Sequence, residues 1–134
     1  MTMNVTDTEV GTLRAGFLGG GFMAAVHSRA VRAAQATPAL IASSRPESSK
    51  TAARALGIAE AASDPGELIA ADIDVGHVCT PNATHAAYAA AALAAGKHVI
   101  CEKPLATSAD EALALATTAR ESGLVAAVPF VYRY

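Results

Sequence analysis

Between residues 16 and 31 the chain reads GFLGGGFMAAVHSRAV. Gly19, Gly21 and Ala24 have the spacing G-x-G-x-x-[GA], that of a strand-to-helix turn that cradles the pyrophosphate of a dinucleotide. Each position has a physical reason. Gly19 lets the chain turn sharply out of a strand. Gly21 has no Cβ to keep a phosphate off the backbone, and Ala24 is small enough for the helix to pack close to the sheet. The N–H groups of Gly19, Gly20, Gly21, Phe22 and Met23, together with the positive end of the helix dipole, then face the phosphates. Glycine-rich turns also occur in loops that hold nothing, so the elements around this one must decide.

Residues 1–11 read as a flexible leader and 12–134 as one domain. Leu13 to Leu18 is the expected first strand, and Phe22 to about Gln35 the first helix, ended by Thr37-Pro38. Ala39 to Ser43 is the second strand, and the helix after Arg45-Pro46-Glu47 runs to Leu56 with Gly57 as its stop. A weak third strand lies within Ile58 to Asp64, and Asp64-Pro65 caps a short helix to Ala70. Ile73 to Thr80, His98 to Cys101 and Leu124 to Tyr132 read as strands four to six, the last interrupted at Pro129. Helices fill Ala83 to Ala95 and, behind the capping box Ser108-x-x-Glu111, the stretch to Ser122. This βαβαβ pattern occurs twice, with near-continuous apolar strands. It implies an α/β fold: a doubly wound parallel sheet of the Rossmann type, strand order 3-2-1-4-5-6. The glycine turn, Thr80-Pro81-Asn82 and Glu102-Lys103-Pro104 each follow a strand. Parallel strands therefore bring all three to one edge of the sheet, where ligands of such folds bind.

Composition narrows the function. The 134 residues are 52% hydrophobic but only 4% aromatic, so alanine, valine, leucine and isoleucine must build the core. A net charge of −2 gives no basic field for nucleic acid. No apolar run is long enough for a membrane helix, and the leader lacks a signal-peptide core, so the expected location is the cytoplasm. Cys79 and Cys101 sit late in two strand-like runs, as free buried thiols on neighbouring strands. His27 lies on the first helix, facing the sheet or the ligand, and His77 and His98 lie inside strands. No pair of histidines has metal-ligand spacing, and no metal is expected.

The end of the second strand distinguishes between dinucleotides. An acidic residue about 20 positions beyond the glycines commonly grips the ribose hydroxyls of NAD. Here that place reads Ser43-Ser44-Arg45. No carboxylate repels a 2′-phosphate, and two hydroxyls and a guanidinium are available to hold one, which favours NADP over NAD.

Three stretches, GFLGGGFMAAVHSRAV, HVCTPNATHAAYAAAALAAGKHVICEKPLA and VPFVYRY, together resemble the nucleotide-binding half of the glucose–fructose oxidoreductase / inositol dehydrogenase (Gfo/Idh/MocA) family. The resemblance covers almost the whole chain after the leader. It implies that Lys103 is the active-site lysine, close to the nicotinamide and the reacting oxygen. Glu102 and Pro104 would shape that turn around the cofactor. Thr80, Pro81, Asn82 and His85 would form the turn and helix start beside the nicotinamide ribose, and His27 matches a recurring histidine on the first helix. A lysine suits the place: its ammonium stabilises the alkoxide that develops as hydride leaves a carbinol carbon, and polarises the carbonyl in reverse.

The function so implied is the cofactor domain of an NAD(P)-dependent oxidoreductase acting on a sugar, polyol or related hydroxyl compound. The alternatives are a non-catalytic dinucleotide-sensing module and a remnant without activity. Members of the family continue into a second domain, an antiparallel sheet that covers the nicotinamide and supplies most substrate contacts. The 134 residues stop at Tyr134, about where the crossover into it begins, and alone hold half of an active site. Phe130, Val131, Tyr132 and Tyr134 would then be exposed, favouring self-association or a homo-oligomer.

Overall fold

The computed structural model describes residues 12–133; the leader and Tyr134 lie outside the described residues. In chain order the elements are β1 (Arg14–Leu18), α1 (Phe22–Ala33), β2 (Thr37–Ala42), α2 (Pro46–Leu56), β3 (Glu60–Ala61) and α3 (Pro65–Ala70). The second half has β4 (Val75–Val78), a 3-10 turn at Asn82–Thr84, α4 (His85–Ala94), β5 (His98–Cys101), α5 (Ala109–Ser122) and β6 (Ala126–Ala127). The six strands form one sheet in the order β3-β2-β1-β4-β5-β6, every pair parallel. This is the doubly wound topology that the alternation predicts.

Side chains alternate across β1 and so build two cores. Ala15 and Phe17 join Ala24 and Val31 of α1, Ile41 of β2, and Ala52 and Ala53 of α2 on one face. Leu18 turns to the other face, with Leu68 of α3, Val78, Ala89, Ala92 and Leu93 of α4, Val99 and Leu115 of α5. Gly16 also points there, where an added Cβ would lie 2.7 Å from Ile73 Cδ1 and 3.1 Å from Leu68 Cδ2. Such close approach is how a core poor in aromatics reaches interior density.

The helix signals hold. Gly57 and Gly123 stop α2 and α5 in the left-handed conformation. Asp64 accepts from the Glu67 N–H at 2.9 Å, and Ser108 from the Glu111 N–H at 3.2 Å. Val78 pairs with Cys101, so the two cysteines do lie at the ends of neighbouring strands.

The fourth strand, expected from Ile73 to Thr80, is only Val75–Val78, and three further boundaries differ for identifiable reasons. Thr37-Pro38 does not merely end α1: the helix stops at Ala33, Gln35 turns the chain at φ 59°, and Thr37 and Pro38 open β2. Proline brings no N–H to the ladder, and the register shifts there, Ala15 facing Pro38 and Gly16 facing Leu40. The helix expected from Ala83 begins as a 3-10 turn, because Thr84 Oγ1 bonds the Pro81 carbonyl at 2.7 Å and tightens the entry. The long last strand is only Ala126–Ala127. Paired on β5 alone and followed by Pro129, the chain folds back through the bonds Phe130 N–H to Val128 C=O and Arg133 N–H to Phe130 C=O.

Leu68 is fully buried beneath β1. Leu68→Ala is expected to cost about 2–5 kcal/mol in urea-induced unfolding, the range for emptying a packed leucine site. A loss well under 1 kcal/mol would mean that α3 does not anchor that core.

Candidate functional site

The carboxyl ends of β1, β2 and β4 open into a cleft of about 630 Å³. Gly19, Gly20, Gly21, Phe22 and Met23 form one wall, Ser43 and Ser44 another, and Thr80, Pro81, Thr84 and Tyr88 the third. None of the described residues that line it is acidic.

The three glycines do different work. Gly19 takes φ +98°, and a Cβ there would sit 2.5 Å from the Cys79 carbonyl oxygen. It is squeezed against the end of β4, and its N–H bonds the Ala42 carbonyl at 2.8 Å. Gly20 faces Ala52, 2.8 Å from where its Cβ would lie. Gly21, the N-cap of α1, has extended backbone, and a Cβ there would meet no atom of the described residues within 4 Å. That empty space lies over a helix start with no side-chain cap and no acidic residue in its first turn. An uncapped helix N-terminus with bare backbone at its mouth fits a pyrophosphate. Ala24, the last position of the pattern, is completely buried.

At the end of β2 the chain is held by a residue that the sequence does not single out. Ser49, fully buried on α2, accepts from the Ser43 N–H at 2.8 Å and donates to the Arg45 carbonyl at 3.2 Å. Ser43 and Ser44 reach the cleft. Arg45 instead lines an adjoining hollow with Gly20, Ser43, Glu47, Ser48 and Thr51, and its guanidinium bonds no described residue.

The lysine turn lies beyond the cleft's third wall. Asn82, His85, Glu102 and Lys103 do not line the cleft. His85 links the two regions: its ring is buried, with Nε2 2.7 Å from the Thr80 carbonyl oxygen and Nδ1 2.6 Å from that of Pro104. The Lys103–Pro104 peptide is cis. Lys103 is exposed, and its ammonium bonds no described residue. Glu102 behind it is buried, with Oε1 3.0 Å from His27 Nε2 and Oε2 accepting the Lys103 N–H at 3.1 Å. His27 in turn meets His77, Nδ1 to Nδ1, at 3.0 Å.

Residues 13–130 match the family model described as "Oxidoreductase family, NAD-binding Rossmann fold". The chain belongs to the Gfo/Idh/MocA oxidoreductase family. It is 41% identical over 131 residues to levoglucosan dehydrogenase of Pseudarthrobacter phenanthrenivorans, covering 90% of this chain and 34% of that one. It is 37% identical over 106 residues to a D-xylose 1-dehydrogenase (NADP(+)) of Haloferax volcanii, covering 78% and 33%. A levoglucosan dehydrogenase solved with NADH and levoglucosan superposes with TM-score 0.87 at 39% identity, covering 91% of this chain and 36% of that one. The chain thus spans about a third of the length of these relatives and corresponds to the family's dinucleotide-binding domain.

In this Gfo/Idh/MocA domain burial governs the protonation of three groups behind the site. Burial, then the neighbouring Glu102, pushes the Cys101 thiol up to about 12. Cys79 is also pushed to about 12, by burial first and then by Glu102 and Cys101. Both stay protonated and inert as nucleophiles. Burial, then His27, lowers His77 to about 4, so this ring is neutral at neutral pH. His98, by contrast, serves the sheet edge, its Nδ1 accepting the Val125 N–H at 3.0 Å. Among the described residues no group of three or more histidine, cysteine or carboxylate side chains is placed to hold a metal.

Sequence reasoning missed Ser49, Pro65, Cys79, Thr84 and Tyr88. Tyr88 had a signal: it follows Thr84 by four residues on a helix and so shares its face. Ser49 had none, because a buried serine inside a helix looks like any other.

Two outcomes test this geometry. Gly19→Ala forces a Cβ onto a carbonyl and should lower the melting temperature clearly. Gly21→Val should leave unfolding free energy within about 0.5 kcal/mol yet weaken dinucleotide binding by about tenfold or more in fluorescence titration. Equal effects of the two would refute the division of labour. The second outcome concerns acid. The unfolded chain protonates His77 near 6.5 and the folded chain only near 4, so the stability that neutral His77 confers is complete above 6.5 and lost as pH falls towards 4. Across that window the protein should lose about 3 kcal/mol more than His77→Gln does, measured by urea unfolding at each pH.

Proposed function

We propose that this domain binds NADP and forms the cofactor half of an oxidoreductase that moves hydride between the nicotinamide and a sugar, polyol or related hydroxyl compound. One observation carries the reading. The uncapped, Cβ-free mouth of α1 and a lysine with no partner among the described residues lie at the same carboxyl edge of one sheet, joined through the buried ring of His85. Gly19 to Met23 hold the pyrophosphate by backbone N–H groups and the helix dipole. Thr80, Pro81, Asn82 and His85 shape the side of the site next to the nicotinamide ribose.

The dinucleotide, when bound, supplies the hydride acceptor or donor. Lys103 presents an ammonium at the reacting oxygen, stabilises its developing negative charge and exchanges the proton that accompanies hydride transfer. Glu102 and Pro104 hold the turn from which it extends.

For the phosphate preference, the support is the loop after β2. Ser43 and Ser44 line the cleft, where none of the described lining residues is acidic, and Arg45 lies beside it in a hollow shared with Glu47, its guanidinium bonding no described residue. A guanidinium with two hydroxyls matches the 2′-phosphate in charge and hydrogen bonding. One relative is named for NADP(+) and another was solved with NADH, so the family name alone does not choose. Phe130, Val131 and Tyr132 are exposed at the end of the chain. We take them as the start of the contact with a second, substrate-binding part or with another copy of the chain.

Titrating NADPH and NADH into the chain should show tighter binding of NADPH, and Arg45→Ala should remove about tenfold of that advantage. Binding of NADH alone at micromolar levels would overturn the NADP assignment. With the substrate-binding part present, Lys103→Ala should lower kcat by about 10²–10⁴-fold and leave cofactor affinity within a few-fold. Unchanged turnover would remove the lysine from the mechanism.

A further inference from the structure

The Lys103 ammonium bonds no described residue that would aim it, and the buried groups behind it supply a reason for its direction. We propose that His27 is a positioning residue for the lysine turn: by holding the Glu102 carboxylate, it fixes the Lys103 N–H and hence the direction in which that side chain leaves the sheet. The inference rests on the hydride-transfer reading above and adds to it a residue on a different element.

The geometry is a chain of three contacts across α1, β4 and the end of β5. His77 and His27 meet Nδ1 to Nδ1 at 3.0 Å, His27 Nε2 lies 3.0 Å from Glu102 Oε1, and Glu102 Oε2 accepts the Lys103 N–H at 3.1 Å. His27, His77 and Glu102 are each at most 7% exposed. A carboxylate only accepts, so His27 donates to it through Nε2–H, and a single proton lies between the two Nδ1 atoms. The His77 ring is packed in place, its centroid 5.0 Å from that of Phe17 and edge-on at 5.2 Å to His27. The carboxylate is thus held at one oxygen by a ring that is itself packed, and its other oxygen accepts the Lys103 amide.

A buried carboxylate with one oxygen unheld would be free to rotate or to seek water, and the Lys103 amide would lose its acceptor. His27 is also five residues into the helix whose first turn forms the phosphate cradle. The cradle and the lysine turn are therefore referenced to one rigid element, as a hydride donor and a proton donor that must meet one substrate require.

The test compares His27→Phe, which removes the donor, with His27→Gln, which restores an amide N–H of similar reach. In the chain without ligand, amide exchange at Lys103, read by NMR, should speed up about tenfold or more in His27→Phe and return to near wild type in His27→Gln. With the substrate-binding part present, His27→Phe should lower kcat by about tenfold or more while KM and dinucleotide affinity change less than about threefold, and His27→Gln should recover most of the rate. If His27→Phe does not fold, His27→Asn, too short to reach Glu102, gives the same comparison. Equal behaviour of the Phe (or Asn) and Gln variants, or a loss that follows dinucleotide affinity instead of kcat, overturns the proposal. Lys103→Met separates the two levels. If it abolishes turnover while His27→Phe leaves the rate and the exchange unchanged, only the positioning role fails. If Lys103→Met retains turnover, the hydride-transfer reading fails and the positioning role falls with it.

Discussion

The site depends on how closely the end of β1 is held between its neighbours. The Gly19 N–H reaches across to the Ala42 carbonyl at the end of β2, and the Cys79 N–H reaches from beyond β4 to the Leu18 carbonyl, both at 2.8 Å. These two bonds prolong the parallel ladders past the formal strand ends and lock three chain ends into one edge. With a Cβ at position 19 that edge could not close, since the Cys79 carbonyl occupies the place. The mouth of α1, the serine loop and the threonine–proline turn are arranged as a consequence of that closure. A parallel sheet puts loops from different parts of the chain side by side, and the tightness of β1 sets the spacing between them.

Much of this was legible in the sequence because the signals are local and redundant. The glycine spacing, the proline and glycine punctuation and the apolar runs all point to the same alternation, and the strand order follows from right-handed crossovers. Turn residues such as Asp64, Ser108 and Gly57 announce their helices through side-chain or backbone needs confined to a few residues. The last strand departs from its sequence pattern for the opposite reason. Leu124 to Tyr132 has strand-like composition, but strand length at an edge is set by the single partner offered, and β5 offers only Val99 and Ile100 to β6. Similarly, Thr37-Pro38 looks like a terminator because proline breaks helices, whereas the parallel ladder accommodates it by a register shift.

The candidate site shows the same contrast. The cradle could be read from position alone, since each of its glycines answers to backbone geometry. What stands behind Lys103 could not. His27, His77 and Glu102 are separated by 50 and 25 residues along the chain, and nothing in their local sequence says that their side chains converge. The contacts between them arise from packing across α1, β4 and β5, an order that appears only when the sheet is built. Ser49 is comparable: its hydroxyl bridges the Ser43 amide and the Arg45 carbonyl, and neither need is visible in the six residues around it.

Gly19 and Gly21 are two positions apart but answer to different constraints. One is required by the neighbouring strand, the other faces space that no atom of the described residues claims. In a descendant lineage that had given up its cofactor, drift would therefore reach them unequally. Position 21 would be released at once and would accumulate side chains, while position 19 would remain glycine for as long as the sheet survived. Sequences that keep the first glycine and have lost the second would be the fossil record of a lost ligand in an intact fold.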